Sequence, residues 1–409
     1  MSMKALERVL NESLNDLKTK GTFKGKETLI TGIKPAEPGK GPRYYIEGQG
    51  DKEFLKMNGN SYLGLSLNPE VIKAEEEGAR RFGAGPGAVR FISGTYQPHA
   101  ELEERLAKFH NREAAMIFSS AYSTVMGILS LLISSDTIVI SDELNHNCII
   151  NAIRLSRPAG KAIYEHLNMA DLDTKLKENI GKGKRVIVIT DGIFSMRGDY
   201  APLDSIVDIC KKYDSKYEEG VITIVDDSHG VGSFGKTGRG VEEYTNTKAD
   251  ILVSTLGKAL GVNGGYVVAS SITINYLRET APFYIYSNPI TPSEAAASMK
   301  SLEILDSEKG LKLLKQMLSL TEQFEEGLQQ LGFEIISSEH PVVPLMIRDT
   351  QKTTELVNHL FNNGILATGL NYPVVPKGDE EIRFQIAADQ TENDIDYVLG
   401  VLKTYKESH

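Results

Sequence analysis

Seven apolar runs of strand length punctuate the middle of the chain: "AAMIFSS" (114–120), "TIVISD" (137–142), "KAIYEH" (161–166), "RVIVITDGIF" (185–194), "VITIVDDSHG" (221–230), "ADILVSTLG" (249–257) and "GYVVAS" (265–270). Their hydrophobicity is continuous rather than alternating, the pattern of strands covered on both faces. Between them, "LDSIVDICKKYDSKY" (203–217) repeats its apolar residues at helical spacing. Strands alternating with helices predict an α/β domain over residues 59–291, with a mostly parallel central sheet flanked by helices. Ahead of it, residues 1–58 read as an amphipathic, charged helix followed by a Gly/Pro-rich arm, "TGIKPAEPGKGPRYY" (31–45). Behind it, a long helix (roughly 292–332) and segments such as "EEIRFQIA" (380–387) predict a smaller α+β domain over 292–409.

Composition narrows the classes. A chain of 409 residues with 41% hydrophobic and 24% charged residues has the make-up of a soluble globular protein with a large core. Its net charge of −10 argues against nucleic-acid binding, which needs a basic face. Only Cys148 and Cys210 carry thiols, and neither sits in a CxxC pair. That usage predicts a reducing, cytoplasmic setting and no thiolate metal site. Residues 114–135 carry no charge over the length of a membrane span, but seven serines and threonines and Gly127 interrupt them. A buried strand, a polar loop and a buried helix account for the stretch better than a membrane span.

In sheets of this kind, ligands bind at the carboxyl ends of the strands. The polar residues closing the runs are "SSAYST", "DELNHN", "DGIFSMRGD", "DDSHG" and "STLGK". One string, "GVGSFGKT" (230–237), satisfies the phosphate-loop pattern G-x-x-x-x-G-K-[ST]. Its strand ends too early, however, and "GRG" follows where a helix should begin, so a glycine-rich turn is the better reading. His146, Asp226 and His229 lack the short spacing of zinc motifs, and no G-x-S-x-G elbow is present. Helix caps and loop hydrogen bonds are the plain alternative for all these residues.

Lys258 is the only charge between Asp250 and Arg278. A lysine among apolar neighbours loses hydration, which makes its neutral amine accessible for Schiff-base chemistry. The competing reading is a lysine whose ammonium reaches water. Its companions suit pyridoxal phosphate (PLP). Asp226 ends a strand and can keep a pyridine nitrogen protonated, while His229, three positions on, can bond a ring hydroxyl. "SSAYST" stands at a strand-to-helix junction fit for a phosphate, Thr255 adds a hydroxyl, and His146 can stack on a ring.

Together with "NSYLGLS" (60–66), "AVRFISGTYQPHAELEERLA" (88–107), "DELNHNCIINAIRLS" (142–156), "TDGIFSMRGD" (190–199), "VDDSHGVGSFGKTGRG" (225–240), "STLGKALG" (254–261) and "YSN" (286–288), these residues make the chain recognisable. It resembles the α-oxoamine synthases, PLP enzymes of fold type I, over nearly its whole length. "VRFISGT" and "YPVVPKG" (372–378) are most similar to the branch of 2-amino-3-ketobutyrate CoA ligases, or glycine C-acetyltransferases. The resemblance implies that Lys258 holds the cofactor and moves the α-proton, that Asp226 pairs with the pyridine nitrogen, and that His229 and Ser195 serve the ring hydroxyl. It implies that His146 stacks on the ring and helps handle the thioester, and that amides of Ala121 and Tyr122, with Thr255, hold the phosphate. Ser287 and Asn288 would reach the phosphate of the neighbouring subunit, and Arg383 would bind the amino acid carboxylate, aided by Asn60 across a homodimer.

The implied reaction joins an amino acid, glycine first, to an acyl-CoA, acetyl-CoA first, and releases CoA. The alternatives are a decarboxylating condensation like that of 8-amino-7-oxononanoate synthase or serine palmitoyltransferase, an aminotransferase, and a non-catalytic partner subunit. Three features depart from the family. "AADQT" (387–391) has Gln390 where relatives often carry histidine, "GVNGG" (261–265) looks one residue short, and Ala121 stands where cysteine or glycine is usual.

Overall fold

The computed structural model describes residues 2–20, 22–23, 25–372 and 375–408. The seven apolar runs all become strands of one sheet: β1 (Ala114–Phe118), β2 (Thr137–Asp142), β3 (Gly160–Tyr164), β4 (Arg185–Asp191), β5 (Val221–Asp226), β6 (Ile251–Thr255) and β7 (Gly265–Ala269). Their spatial order is β1-β7-β6-β5-β4-β2-β3. Only β7 runs antiparallel to its neighbours, β1 and β6; every other pair is parallel. The unbroken hydrophobicity follows from burial on both faces. Val139, Ile187 and Ile189 face one core cluster, whereas Ile138, Ile140, Val186 and Val188 face another. Helices α1 (Ala121–Leu132) and α2 (Asn147–Ser156) pack on the first face. Helices Met169–Glu178 and Leu203–Asp214 pack on the second. The charge-free stretch at 114–135 is thus β1, a polar turn and α1. Among the described residues no helix is long and apolar enough to cross a membrane.

This sheet belongs to a compact unit, Asn60–Leu318; a second unit comprises Met1–Gly59 with Ser319–His409. This division falls inside the helix Glu308–Gln330. The long helix expected over 292–332 is two helices, Pro292–Leu305 and Glu308–Gln330, parted at Asp306, whose carboxylate is drawn aside to Arg105 and Arg239. In addition, Pro292–Leu305 packs tightly on Pro69–Phe82 of the first unit: a Cβ on Gly78 would stand 2.8 Å from Ser293 Cα.

The second unit is built on an antiparallel four-stranded sheet, in the order Glu334–Ile335, Val342–Met346, Glu381–Gln385, Thr368–Leu370. Its core gathers Phe324, Leu345, Leu356, Ile382, Phe384 and Val398. The N-terminal arm is more structured than its Gly/Pro content implied. Ile30–Lys34 pairs with Arg43–Ile46, and Leu55–Lys56 runs parallel to Ile365–Leu366. Arg43 and Asp394 form a buried ion pair, and Asp394 also accepts the N–H of Gly41 at 2.9 Å. Pro373 and Val374 of "YPVVPKG" lie outside the described residues.

Candidate active site

Parallel pairing places the last residues of β4 and β5 side by side, Asp191 against Asp226. Both are buried at the carboxyl edge of the sheet. There a cavity is lined by Ala121, Tyr122, His146, Cys148, Asp191, Ile193, Asp226, Ser228, His229 and Lys258. Six of the residues picked out in the sequence therefore meet, although they span positions 121 to 258.

Each is held by a definable contact. Oδ1 of Asp226 accepts both the N–H (3.1 Å) and the hydroxyl (2.5 Å) of Ser228. Its other oxygen, Oδ2, lies 3.9 Å from the Cys148 thiol. One carboxylate oxygen is thus anchored, and the carboxylate lines the cavity. Asp191 Oδ2 accepts the N–H of His146 at 3.0 Å. Burial first, and then the Asp226 carboxylate, push the Asp191 carboxyl well above the usual range.

His146 caps α2. Its Nδ1 accepts the N–H of Cys148 at 3.2 Å, with the Cys148 sulfur 2.9 Å from the same nitrogen. A backbone N–H can only donate, so Nδ1 carries the lone pair and the neutral ring bears its proton on Nε2. Burial, reinforced by Lys258 and opposed by Asp226, lowers its pKa. The Cys148 thiol is pushed up by burial and then by Asp226, so it stays protonated. His229 is fixed from elsewhere: its Nδ1 lies 2.6 Å from the hydroxyl of the fully buried Tyr62.

Ala121 and Tyr122 open α1, whose N-cap is Ser120. First-turn amides have no partner within a helix, and among the described residues these two N–H groups donate to no other group of the chain. A Cβ on Gly265 would stand 2.3 Å from Ala121 N, so only glycine lets β7 approach this helix start so closely. Lys258 follows β6 in a turn closed by Leu256 N–H to Gly264 O (2.9 Å). Gly261 has φ +72° there, and a Cβ would meet Ser66 N at 2.3 Å. Thr255 shapes the same turn, donating to Gly264 O and accepting from Gly257 N–H.

Other sequence picks stand apart from the cavity lining. Ser195 lies half-buried in the loop after β4, and Ser287 and Asn288 lie between Pro282–Ile285 and Pro292–Leu305. Asn60 is exposed. Arg383 belongs to the second unit. Its neighbours Ile382 and Phe384 enter that core, while its guanidinium emerges opposite and donates to Gln385 Oε1 at 3.1 Å. Gln390 serves a backbone role, accepting from Ala387 N–H and donating to Lys56 O.

The phosphate-loop string is a turn wrapped around Asp227. A Cβ on Gly230 or Gly240 would stand 2.0 or 1.8 Å from its carboxylate oxygens, and the next helix is only Val241–Tyr244. Burial pushes Asp227 up to about 8. Among the described residues no cluster of three or more His, Cys, Asp or Glu side chains is arranged to hold a metal. Sequence reasoning missed Tyr62, Cys148, Asp191 and Ser228. Asp191 was discoverable, since it closes β4 as Asp226 closes β5; the other three act through contacts that only the fold brings about.

A lysine facing a strand-end carboxylate, beside an open helix start on a mostly parallel sheet, defines the class of fold type I PLP enzymes. The comparisons carry this further. The profile of aminotransferase class I and II matches residues 52–402. An 8-amino-7-oxononanoate synthase 1 of Bacillus subtilis (strain 168) is 37% identical, over 97% of this chain and 97% of its own. A mitochondrial 2-amino-3-ketobutyrate coenzyme A ligase of Bos taurus is 38% identical, over 96% of this chain and 90% of its own. The solved serine palmitoyltransferase of S. paucimobilis with a bound PLP–myriocin aldimine superposes with TM-score 0.86 at 26% identity, covering 98% and 97%. The chain belongs to the α-oxoamine synthase family of PLP-dependent enzymes.

Proposed function

We propose that this protein binds PLP in the cavity and joins the Cα of glycine to the acyl carbon of acetyl-CoA. The observation that carries the reading is the convergence, in one cavity, of Lys258, the Asp226 carboxylate and the N–H groups of Ala121 and Tyr122 that open α1. These residues fit the group. The amides suit its phosphate, with Thr255 beside them, and Asp226 suits its pyridine nitrogen. His146 would stack on its ring, while His229 and Ser195 would serve its hydroxyl. When bound, PLP supplies a protonated ring that delocalises an electron pair left at Cα.

Lys258 holds the cofactor and carries the α-proton. Arg383 holds the substrate carboxylate in bidentate fashion. The new C–C bond forms as the thioester C–S bond breaks, and CoA leaves as the thiol, taking up one proton. The protein works as a homodimer in which Asn60, Ser287 and Asn288 serve the neighbouring subunit's site. Two free, buried thiols, Cys148 and Cys210, support a reducing, cytoplasmic setting.

A second reading, condensation with loss of CO2, draws on the similarity to 8-amino-7-oxononanoate synthases. A panel of glycine, alanine and serine against acetyl-, pimeloyl- and palmitoyl-CoA, scored for thiol and CO2 release, separates the two. Glycine with acetyl-CoA should be fastest and release no CO2. Faster turnover of alanine with pimeloyl-CoA, or of serine with palmitoyl-CoA, would overturn the substrate choice and leave the synthase. No thiol release from any pair would favour an aminotransferase.

A further inference from the structure

His166 lies beyond the cavity, just after β3, with a carboxylate on each ring nitrogen. Nδ1 is 2.9 Å from Asp142 Oδ1, and Nε2 is 3.2 Å from Asp199 Oδ2. Ionised carboxylates only accept, so a ring that satisfies both must donate from both nitrogens. The charged groups around it are few. Asp142 comes from the end of β2, Glu143 accepts the His166 N–H at 3.0 Å, and Arg197 donates to Asp199 at 3.0 Å. The Tyr164 hydroxyl lies behind Asp142, and the Phe194 ring packs edge-on at 4.4 Å.

Both carboxylates belong to loops that shape the cavity. Asp142 also accepts the N–H of Leu144 and of Leu167, which ties down the turn leading to His146. Asp199 closes the loop that brings Ile193 and Ser195 up from β4, its backbone carbonyl accepting the Phe194 N–H at 2.9 Å. We propose that His166 is a positioning residue: a doubly protonated imidazolium that clamps the loop carrying His146 to the loop carrying Ser195, fixing two walls of the cavity. The consequence for PLP rests on the functional reading above; the clamp itself does not.

The charge states agree with the geometry. Burial alone would lower the His166 pKa, but its bonds to Asp142 and Asp199 outweigh this and raise it to about 9. Burial would raise Asp199, yet His166 and then Arg197 hold it below its usual range. Because the folded pKa lies above the unfolded value of about 6.5, the clamp is complete below that pH. It is lost progressively as the pH rises through about 9.

The test is an NMR titration of the His166 ring in the holoenzyme, assigned with His166→Gln, alongside PLP affinity from pH 6 to 10. Both ring nitrogens should be protonated at pH 7.5 and titrate near 9. Titration near 6.5, or one bare nitrogen at pH 7.5, overturns the proposal. His166→Gln should bind PLP about tenfold more weakly at pH 7.5, roughly the effect of one charge-assisted hydrogen bond. It should also lose the alkaline fall in affinity expected of the parent, and equal affinity or a persisting fall counts against the clamp. Should the glutamine variant not fold, Asp199→Asn removes one carboxylate and should shift the His166 titration down by about one unit. Failure of the parent protein to bind PLP would sink the functional reading, while the ring titration would still decide the clamp.

Discussion

Asp226 spends Oδ1 on the N–H and hydroxyl of Ser228, so its carboxylate cannot turn without losing both bonds, and Oδ2 is held towards the cavity. Asp226→Asn keeps that shape but cannot hold a pyridine nitrogen protonated. The loss should appear in turnover rather than in binding. We expect kcat to fall by about 100-fold or more, equivalent to roughly 2.7 kcal/mol of barrier, with PLP affinity within a few-fold of the parent. Steady-state kinetics beside a cofactor titration read both, and near-parental kcat would remove Asp226 from the chemistry. Tyr62 is a subtler case, because its hydroxyl meets His229 Nδ1 at 2.6 Å from outside the cavity lining. A neutral hydrogen bond contributes about 0.5–1.5 kcal/mol. Tyr62→Phe should therefore weaken PLP binding by roughly three- to tenfold with little change in melting temperature, and unchanged affinity would mean that His229 is oriented by other groups.

At the scale of elements, the strands were legible because burial on both faces leaves an uninterrupted apolar run, and the site was legible because polar residues must close those runs. What stayed hidden depends on distant packing. The Tyr62–His229 contact joins residues 167 positions apart, and no local pattern marks it. The arm's strands were masked by Gly and Pro, and the break at Asp306, whose carboxylate accepts from the distant Arg105 and Arg239, carries no local mark. The strand Glu381–Gln385 shows the reverse case, in which local alternation sufficed. Ile382 and Phe384 are fully buried, so Arg383 must point the other way. Its guanidinium fork, steadied by Gln385, matches a carboxylate as a lysine ammonium cannot. Arg383→Lys should raise KM for the amino acid at least about tenfold while KM for the acyl-CoA stays within about twofold. Equal rises in both would count against a carboxylate role.

Each of the two units leaves large apolar side chains exposed. Helix Ser2–Thr19 presents Met3, Leu6, Leu10, Leu14 and Leu17 along one stripe, each 41–60% exposed. Phe91, Ile92 and Tyr286, at 64%, 65% and 78%, lie on segments next to the proposed subunit-spanning residues or among the family's matching motifs. Exposed apolar side chains are stabilised by burial against another surface, and the homodimer proposed above would offer one. The homodimer proposed above makes a prediction that simple association does not. If each site takes Lys258 from one subunit and Asn60 from the other, Lys258→Ala and Asn60→Ala chains should rescue each other. In a heterodimer of the two, one site is intact and the other doubly defective. An equal, fully exchanged mixture contains half heterodimers, so activity should rise to about a quarter of the parent's. Were Lys258 and Asn60 to act within one subunit, no site in the mixture would hold both, and activity would stay at the average of the two variants. Native mass spectrometry of the same mixture, with one chain isotopically labelled, establishes that exchange has occurred. Exchange without rescue would confine each active site to a single subunit.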